Sequence, residues 1–145
     1  MICSNEPVKC GKVLALDYGT RNVGLACCDE LGITVRPLAS IPNTGGRNLI
    51  SRLKTIIEEN RIQFLVVGVP QNMNGSFGEA ATRVERFIGL LKRELGLPLS
   101  GVDERLSTVE ATEVWNEMSL RQQRKYRTID SLAAALILER FLRAT

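Results

Sequence analysis

Apolar residues along this chain fall first into short runs, then into runs that alternate with helical stripes. Val13, Leu14, Ala15 and Leu16 form a continuous apolar run that ends at Asp17, the pattern of a strand covered on both faces. Residues 12–17, 23–28 and 33–41 read as three strands. The breaks between them, Gly19 to Arg21 and Asp29 to Gly32, are too short for a crossover, so the strands pair antiparallel. After the Pro42–Gly46 turn, Leu49, Leu53, Ile56 and Ile57 recur at helical spacing, in a helix predicted to end near Asn60. Phe64 to Val69 is apolar and branched, a buried strand. A Ser76–Glu79 capping box predicts the start of the next helix, Val84, Phe87, Ile88 and Leu91 share one of its faces, and Gly96 ends it. Leu97 to Val102 predicts a fifth strand, and a second box, Ser107–Glu110, opens a helix reaching about Glu117. The last helix, from about Thr128, buries Leu132, Ala133, Leu136, Ile137 and Phe141. Between these last two helices lies a basic run of Arg121, Arg124, Lys125 and Arg127, with Tyr126 interleaved.

This order specifies an α/β fold: a mixed sheet of three antiparallel strands followed by two parallel strands, with helices on both faces. Right-handed crossovers make the later strands parallel to the first. Sites in such sheets gather at strand ends where connections diverge. Asp17 closes the first strand, Asp103 and Glu104 follow the last, and Asp130 stands in the first turn of the final helix. Each has a plain structural reading as well. Asp17 could cap its own turn, and an acid in a first helical turn is favoured by the helix dipole alone. With sixteen acids in the chain, both readings of each residue stay open at this point.

Composition narrows the chemistry. At 145 residues, 44% apolar and 24% charged, the chain has one globular domain of ordinary size. A net charge of +3 favours an anionic partner without locating it. There is no histidine, which excludes serine–histidine, cysteine–histidine and histidine general-base schemes and leaves carboxylates, lysine or a metal for any hydrolysis. Cys3, Cys10, Cys27 and Cys28 lack zinc-site spacing. As strand neighbours, Cys27 and Cys28 should point to opposite faces as small buried residues. No run has the length of a signal peptide core or a membrane span, so a cytoplasmic chain with no membrane partner is expected.

Four blocks in order, LDYGTRNVGLA, VVGVPQNMNGS, VDERLSTVEA and IDSLAAALIL, resemble the signature blocks of the YqgF/RuvX family, RNase H-like nucleases related to Holliday junction resolvases. The match runs from about Val13 to Leu142, leaving residues 1–11 as an N-terminal extension of open role and 12–145 as an RNase H-like nuclease domain. DERLST with Glu110 and Ala111, and Gly68-Val69-Pro70 through Gly75, are the most discriminating parts. Tyr18 and Asn74 are mild departures, standing where other residues are common.

The resemblance implies a metal-dependent nuclease in which Asp17, Glu104 and Asp130 are the catalytic carboxylates and metal ligands, with Asp103 a neighbour. Phosphodiester cleavage brings two anions together, and oxygen ligands suit the Mg²⁺ or Mn²⁺ that would screen them. Substrate positioning would fall to Thr20 and Arg21, beside Asn22, on the turn after Asp17. Asn72 and Asn74, with Gln71 and Ser76, occupy a polar loop after a buried strand. Arg105 could bind phosphate or pair with an acid. Arg124, Lys125 and Arg127 would surround the metal site with positive charge, or form a solvated face. Trp115 reads as a helix-packing residue before a base-stacking one. The implied partner is nucleic acid, a ribosomal RNA precursor processed at the 5′ end of pre-16S rRNA, with branched DNA as the alternative; the chain would be a monomer or homodimer, and junction resolution would require the dimer. Two other classes remain open here. Asp-Tyr-Gly-Thr also resembles a phosphate loop of the sugar kinase and actin-like ATPases, although their two-domain length argues against it, and the fold could persist as a catalytically silent RNA-binding module.

Overall fold

Alternation of side chains along the first strand divides the molecule into two cores. In the computed structural model, which describes residues 11–69, 78–103 and 107–144 (for residues 80, 103, 107–110 and 144 the backbone alone), β1 spans Lys12–Tyr18. Leu14 and Leu16 point to one face of the sheet and Val13 and Ala15 to the other, all fully or almost fully buried, as a period of two requires. β2 (Asn22–Cys28) and β3 (Val35–Pro42) follow, then α1 (Gly46–Asn60), β4 (Ile62–Val69), α2 (Glu79–Leu95), β5 (Leu99–Asp103), α3 (Ser107–Glu117), α4 (Leu120–Tyr126) and α5 (Ile129–Ala144). The five strands lie in the order β3-β2-β1-β4-β5. β1 pairs antiparallel with β2 and β2 with β3, while β4 runs parallel to both β1 and β5. This is the mixed sheet expected from the lengths of the connections.

α1 and α2 cover one face. Leu49, Leu53, Val84, Phe87 and Leu91 pack there on Leu14, Leu16, Leu25 and Leu65. α5 covers the other, where Ala134, Ala135, Ile137 and Leu138 meet Val13, Ala15, Ala26 and Val66. α3 lies outside α5, through Ala111 against Leu132 and Ala133, with Trp115 half-buried against the same cluster. Cys27 and Cys28 are buried free thiols on opposite faces, and burial pushes the Cys28 thiol up. Among the described residues no helix is long and apolar enough to cross a membrane.

Three expectations need correction. β3 begins at Val35 and not near residue 33, because Asp29 ties the preceding turn: its carboxylate accepts the Ile33 N–H at 2.8 Å and its own N–H reaches the Thr34 carbonyl at 3.1 Å. α2 is not capped by a Ser76–Glu79 box. Its cap is Gly78, whose carbonyl accepts the Thr82 N–H at 3.1 Å, so Glu79 is the first helical residue; Ser76 lies outside the described residues. Finally, the basic run is not a connection between two helices, because Leu120–Tyr126 forms the separate helix α4. A capping box starts it, in which Ser119 Oγ accepts the Gln122 N–H at 3.2 Å and Gln122 Oε1 accepts the Ser119 N–H at 3.1 Å.

Seating α5 on the sheet depends on one residue that has no side chain. Gly24 lies beneath the backbone of Asp130: a Cβ added there would stand 3.1 Å from the Asp130 Cα and closer still to its carbonyl. No rotamer change can relieve contact with main chain. Gly24→Ala should therefore cost about 1–3 kcal/mol or more in urea unfolding. Gly89→Ala is the matched control, since a Cβ at this position inside α2 meets nothing within 4 Å; it should stabilise by roughly 0.5–1 kcal/mol through helix propensity.

Candidate active site

The contact at Gly24 also builds a site. Asp17 is the cross-strand partner of Gly24, and by alternation both belong to the face that carries α5, together with Ala15 and Ala26. On the other side of Asp17, one step past the Leu16–Val67 pair, the same row continues through Gly68 to Val102, its partner on β5. The half-buried carboxylate of Asp17 thus stands between two glycines, and neither adjacent strand places a side chain beside it. The space over Gly24 is taken by the main chain of Asp130. Two acids separated by more than a hundred residues are joined through the residue between them.

The start of α5 is held from the opposite side by hydroxyls. Thr128 caps the helix, its Oγ1 accepting the Ser131 N–H at 3.0 Å and its carbonyl the Leu132 N–H at 3.0 Å, which satisfies donors that a helix N-terminus leaves open. Fully buried Ser131 donates its hydroxyl to the Leu38 carbonyl on β3, and the Thr128 hydroxyl lies 3.1 Å from the Ser131 Oγ. Asp130 is fixed between these anchors. Sequence reasoning placed the helix start at Thr128 but missed the latch to β3; the capping pattern Thr128-x-x-Ser131 was the readable half of it.

On the turn after Asp17, Thr20, Arg21 and Asn22 are all exposed. Asn43 braces this turn, its side-chain amide donating to the Gly19 carbonyl at 2.7 Å and its N–H to the Arg21 carbonyl at 2.8 Å. Nothing in the local pattern had singled out Asn43. Arg121, Arg124 and Lys125 are exposed on α4, and Arg127 follows it just ahead of the Thr128 cap. Glu104, Arg105, Gln71, Asn72 and Asn74 lie outside the described residues. Asp103 ends β5, two strands away from Asp17.

As donors, Asp17 and Asp130 are hard oxygen ligands of the kind Mg²⁺ and Mn²⁺ take. Among the described residues no group of three or more acids, cysteines or histidines could hold a metal, so this pair would need the third acid from outside them. Burial pushes the Asp130 carboxyl above its ordinary value, because desolvation disfavours the charged form.

A model of the family described as "RuvX: Holliday junction resolvase" matches residues 11–144. A protein of Lachnospira eligens named "Putative pre-16S rRNA nuclease" is 41% identical over 134 residues, covering 90% of this chain and 96% of its own. A Synechococcus protein of the same name is 40% identical over 129 residues, with 89% and 87% covered. Among solved structures, T. thermophilus RuvC in complex with a Holliday junction substrate superposes with a TM-score of 0.56 at 16% identity, covering 92% of this chain and 94% of that one. The fowlpox virus resolvase bound to Holliday junction DNA gives 0.55 at 10%, covering 92% and 97%. These likenesses establish the RNase H-like architecture that the block pattern implied.

The raised pKa has a stability consequence of definite sign. Native Asp130 holds its proton more tightly than the unfolded chain does, so its contribution is intact below the ordinary value of about 3.9. It is lost as pH rises through the window up to the raised folded value. At pH 7 the ionised carboxylate is a cost. Thermal melts of metal-free protein should therefore show Asp130→Asn melting above wild type at pH 7, with the difference vanishing below about pH 3.9. Added Mn²⁺ should raise the wild-type melting temperature and leave that of Asp130→Asn unchanged.

Proposed function

This chain belongs to the RuvX family, whose members are nucleases, and from that premise we propose that it is a divalent-metal-dependent hydrolase of phosphodiester bonds that processes the 5′ end of pre-16S ribosomal RNA in the cytoplasm. The observation that carries the reading is the placement of Asp17 and Asp130 on one face of the sheet through Gly24. We assign the third ligand to Glu104. Its support over Asp103 is its place in the family block VDERLSTVEA. When bound, Mg²⁺ or Mn²⁺ would screen the substrate's charge and stabilise the charge that develops during cleavage.

The chain's own residues would do the rest. Asp17, at a strand end and flanked by glycines, holds an oxygen donor beside the start of α5. Asp130 supplies a second donor from a helix that cannot shift while Gly24, Thr128 and Ser131 hold it. Arg21, with Thr20, offers exposed polar groups to the backbone on the turn that Asn43 steadies; Arg124, Lys125 and Arg127 add positive charge on the approach to Asp130. Asn72, Asn74 and Arg105 are assigned to the same substrate surface on the strength of their family blocks. RNA is preferred because the curated relatives are named for it. The family's own description favours a four-way DNA junction as the second reading, which would need two sites presented by a homodimer.

The test sets wild type beside Asp17→Asn, with Mg²⁺ or Mn²⁺, on precursor rRNA and on a four-way junction. Cutting of the rRNA that falls roughly 10³-fold in the variant, the loss of several kcal/mol of charge stabilisation, supports the reading. Cutting of the junction alone would transfer it to DNA. Equal product from both proteins would refute it.

A further inference from the structure

Asp17 and Tyr18 are consecutive, so their side chains leave β1 on opposite faces, and Tyr18 opens onto a surface that the cleavage site does not use. Its ring stacks on Phe87, with centroids 4.1 Å apart and planes 24° apart, at the mouth of a groove between α1 and α2. The groove has a volume of about 250 Å³ beside Tyr18, where Arg83 and Arg86 line it. It continues, through shared walls, into about 550 Å³ lined by Arg47 and Lys54, with Glu94 the one acid in its lining. Four cations against one acid is a strong local excess in a chain whose net charge is only +3. They are also available. Among the described residues no acid pairs with Arg47, Lys54 or Arg86, and Arg83 meets only Glu79 at 3.9 Å, a carboxylate 96% exposed.

We propose that this groove is a track for the backbone of single-stranded RNA flanking the scissile bond, leading from the Asp17 end of β1 past Tyr18 and along α1 and α2. The inference rests on the nuclease reading for the identity of the strand, but on the groove alone for its existence. A phosphate backbone is the occupant because the lining is cationic and open, a charged groove of the kind that tracks a single-stranded backbone without reading sequence. Tyr18, the residue after Asp17, lines its mouth, so the groove opens at the same end of β1 as Asp17, on the opposite face of the sheet.

Binding is measured on the full chain by fluorescence anisotropy with a labelled single-stranded RNA and no added metal, across a salt series. Arg83→Gln with Arg86→Gln should weaken binding several-fold and flatten the slope of log K against log salt by about 1.4, the counterions of two contacts on a single strand. Lys92→Gln with Arg93→Gln removes the same charge from the exposed end of the same helix, outside the groove, and should change the slope far less. Equal changes in the two pairs, or none in either, would overturn the track. An equal slope change with the strand annealed to its complement would overturn its assignment to single strands. Because no cutting is read, the outcomes separate. A normal slope difference in a protein that cuts nothing keeps the track and removes the catalytic reading; metal-dependent cutting without the slope difference does the reverse.

Discussion

The contact between Gly24 and the main chain of Asp130 is the constraint on which the rest of the site depends. A helix can approach a sheet this closely only where the strand beneath presents no side chain, and small residues on both surfaces make that approach possible over a longer stretch: Ala15 and Ala26 on the strands, Ala134 and Ala135 on α5. The helix is then anchored twice, by the missing side chain on β2 and by the Ser131 hydroxyl on the Leu38 carbonyl of β3. Between these anchors the backbone of Asp130 has no freedom to drift from Asp17. An acid made less stable by burial is retained at the point where a divalent cation would reverse the penalty.

A single strand with period-two alternation also sorts the molecule's work between two faces. Residues 13, 15 and 17 of β1 belong to the α5 side, and 14, 16 and 18 to the α1–α2 side. The candidate acids Asp17 and Asp130 are therefore on one face, while the strand's last residue, Tyr18, lines a cationic groove on the other. The two surfaces meet only at the end of the sheet where β1 stops. On the proposed reading, an RNA that passes over this edge would be held on one side and cut on the other.

Much of this was legible in the chain. The apolar runs and the lengths of the connections specified five strands, their directions and helices on both faces, and Gly96 marked the end of α2 in the left-handed conformation that glycine takes readily, φ 66°. The acids at element ends were visible as a group. What was not visible was what sets the start of α5 at Asp130 against the strand that pairs with Asp17, because Gly24 reads locally as a turn-permissive residue and reveals its use only once a helix from the far end of the chain lies on it. Helix α4 was missed for a different reason: Leu120 and Tyr126 are too few apolar residues to produce a period, and only the Ser119–Gln122 box announced it. Asn43 was unreadable because the two bonds by which it braces the turn reach residues more than twenty positions away.

The central claim is that Asp17 and Asp130, joined through Gly24 and assisted by Glu104, share a divalent cation. The most direct measurement is the anomalous scattering of Mn²⁺ in crystals of the full chain. The account predicts a peak on the α5 face at the end of β1, within coordination distance of oxygens from both Asp17 and Asp130. Mn²⁺ bound elsewhere, or bound to either acid alone, would contradict it.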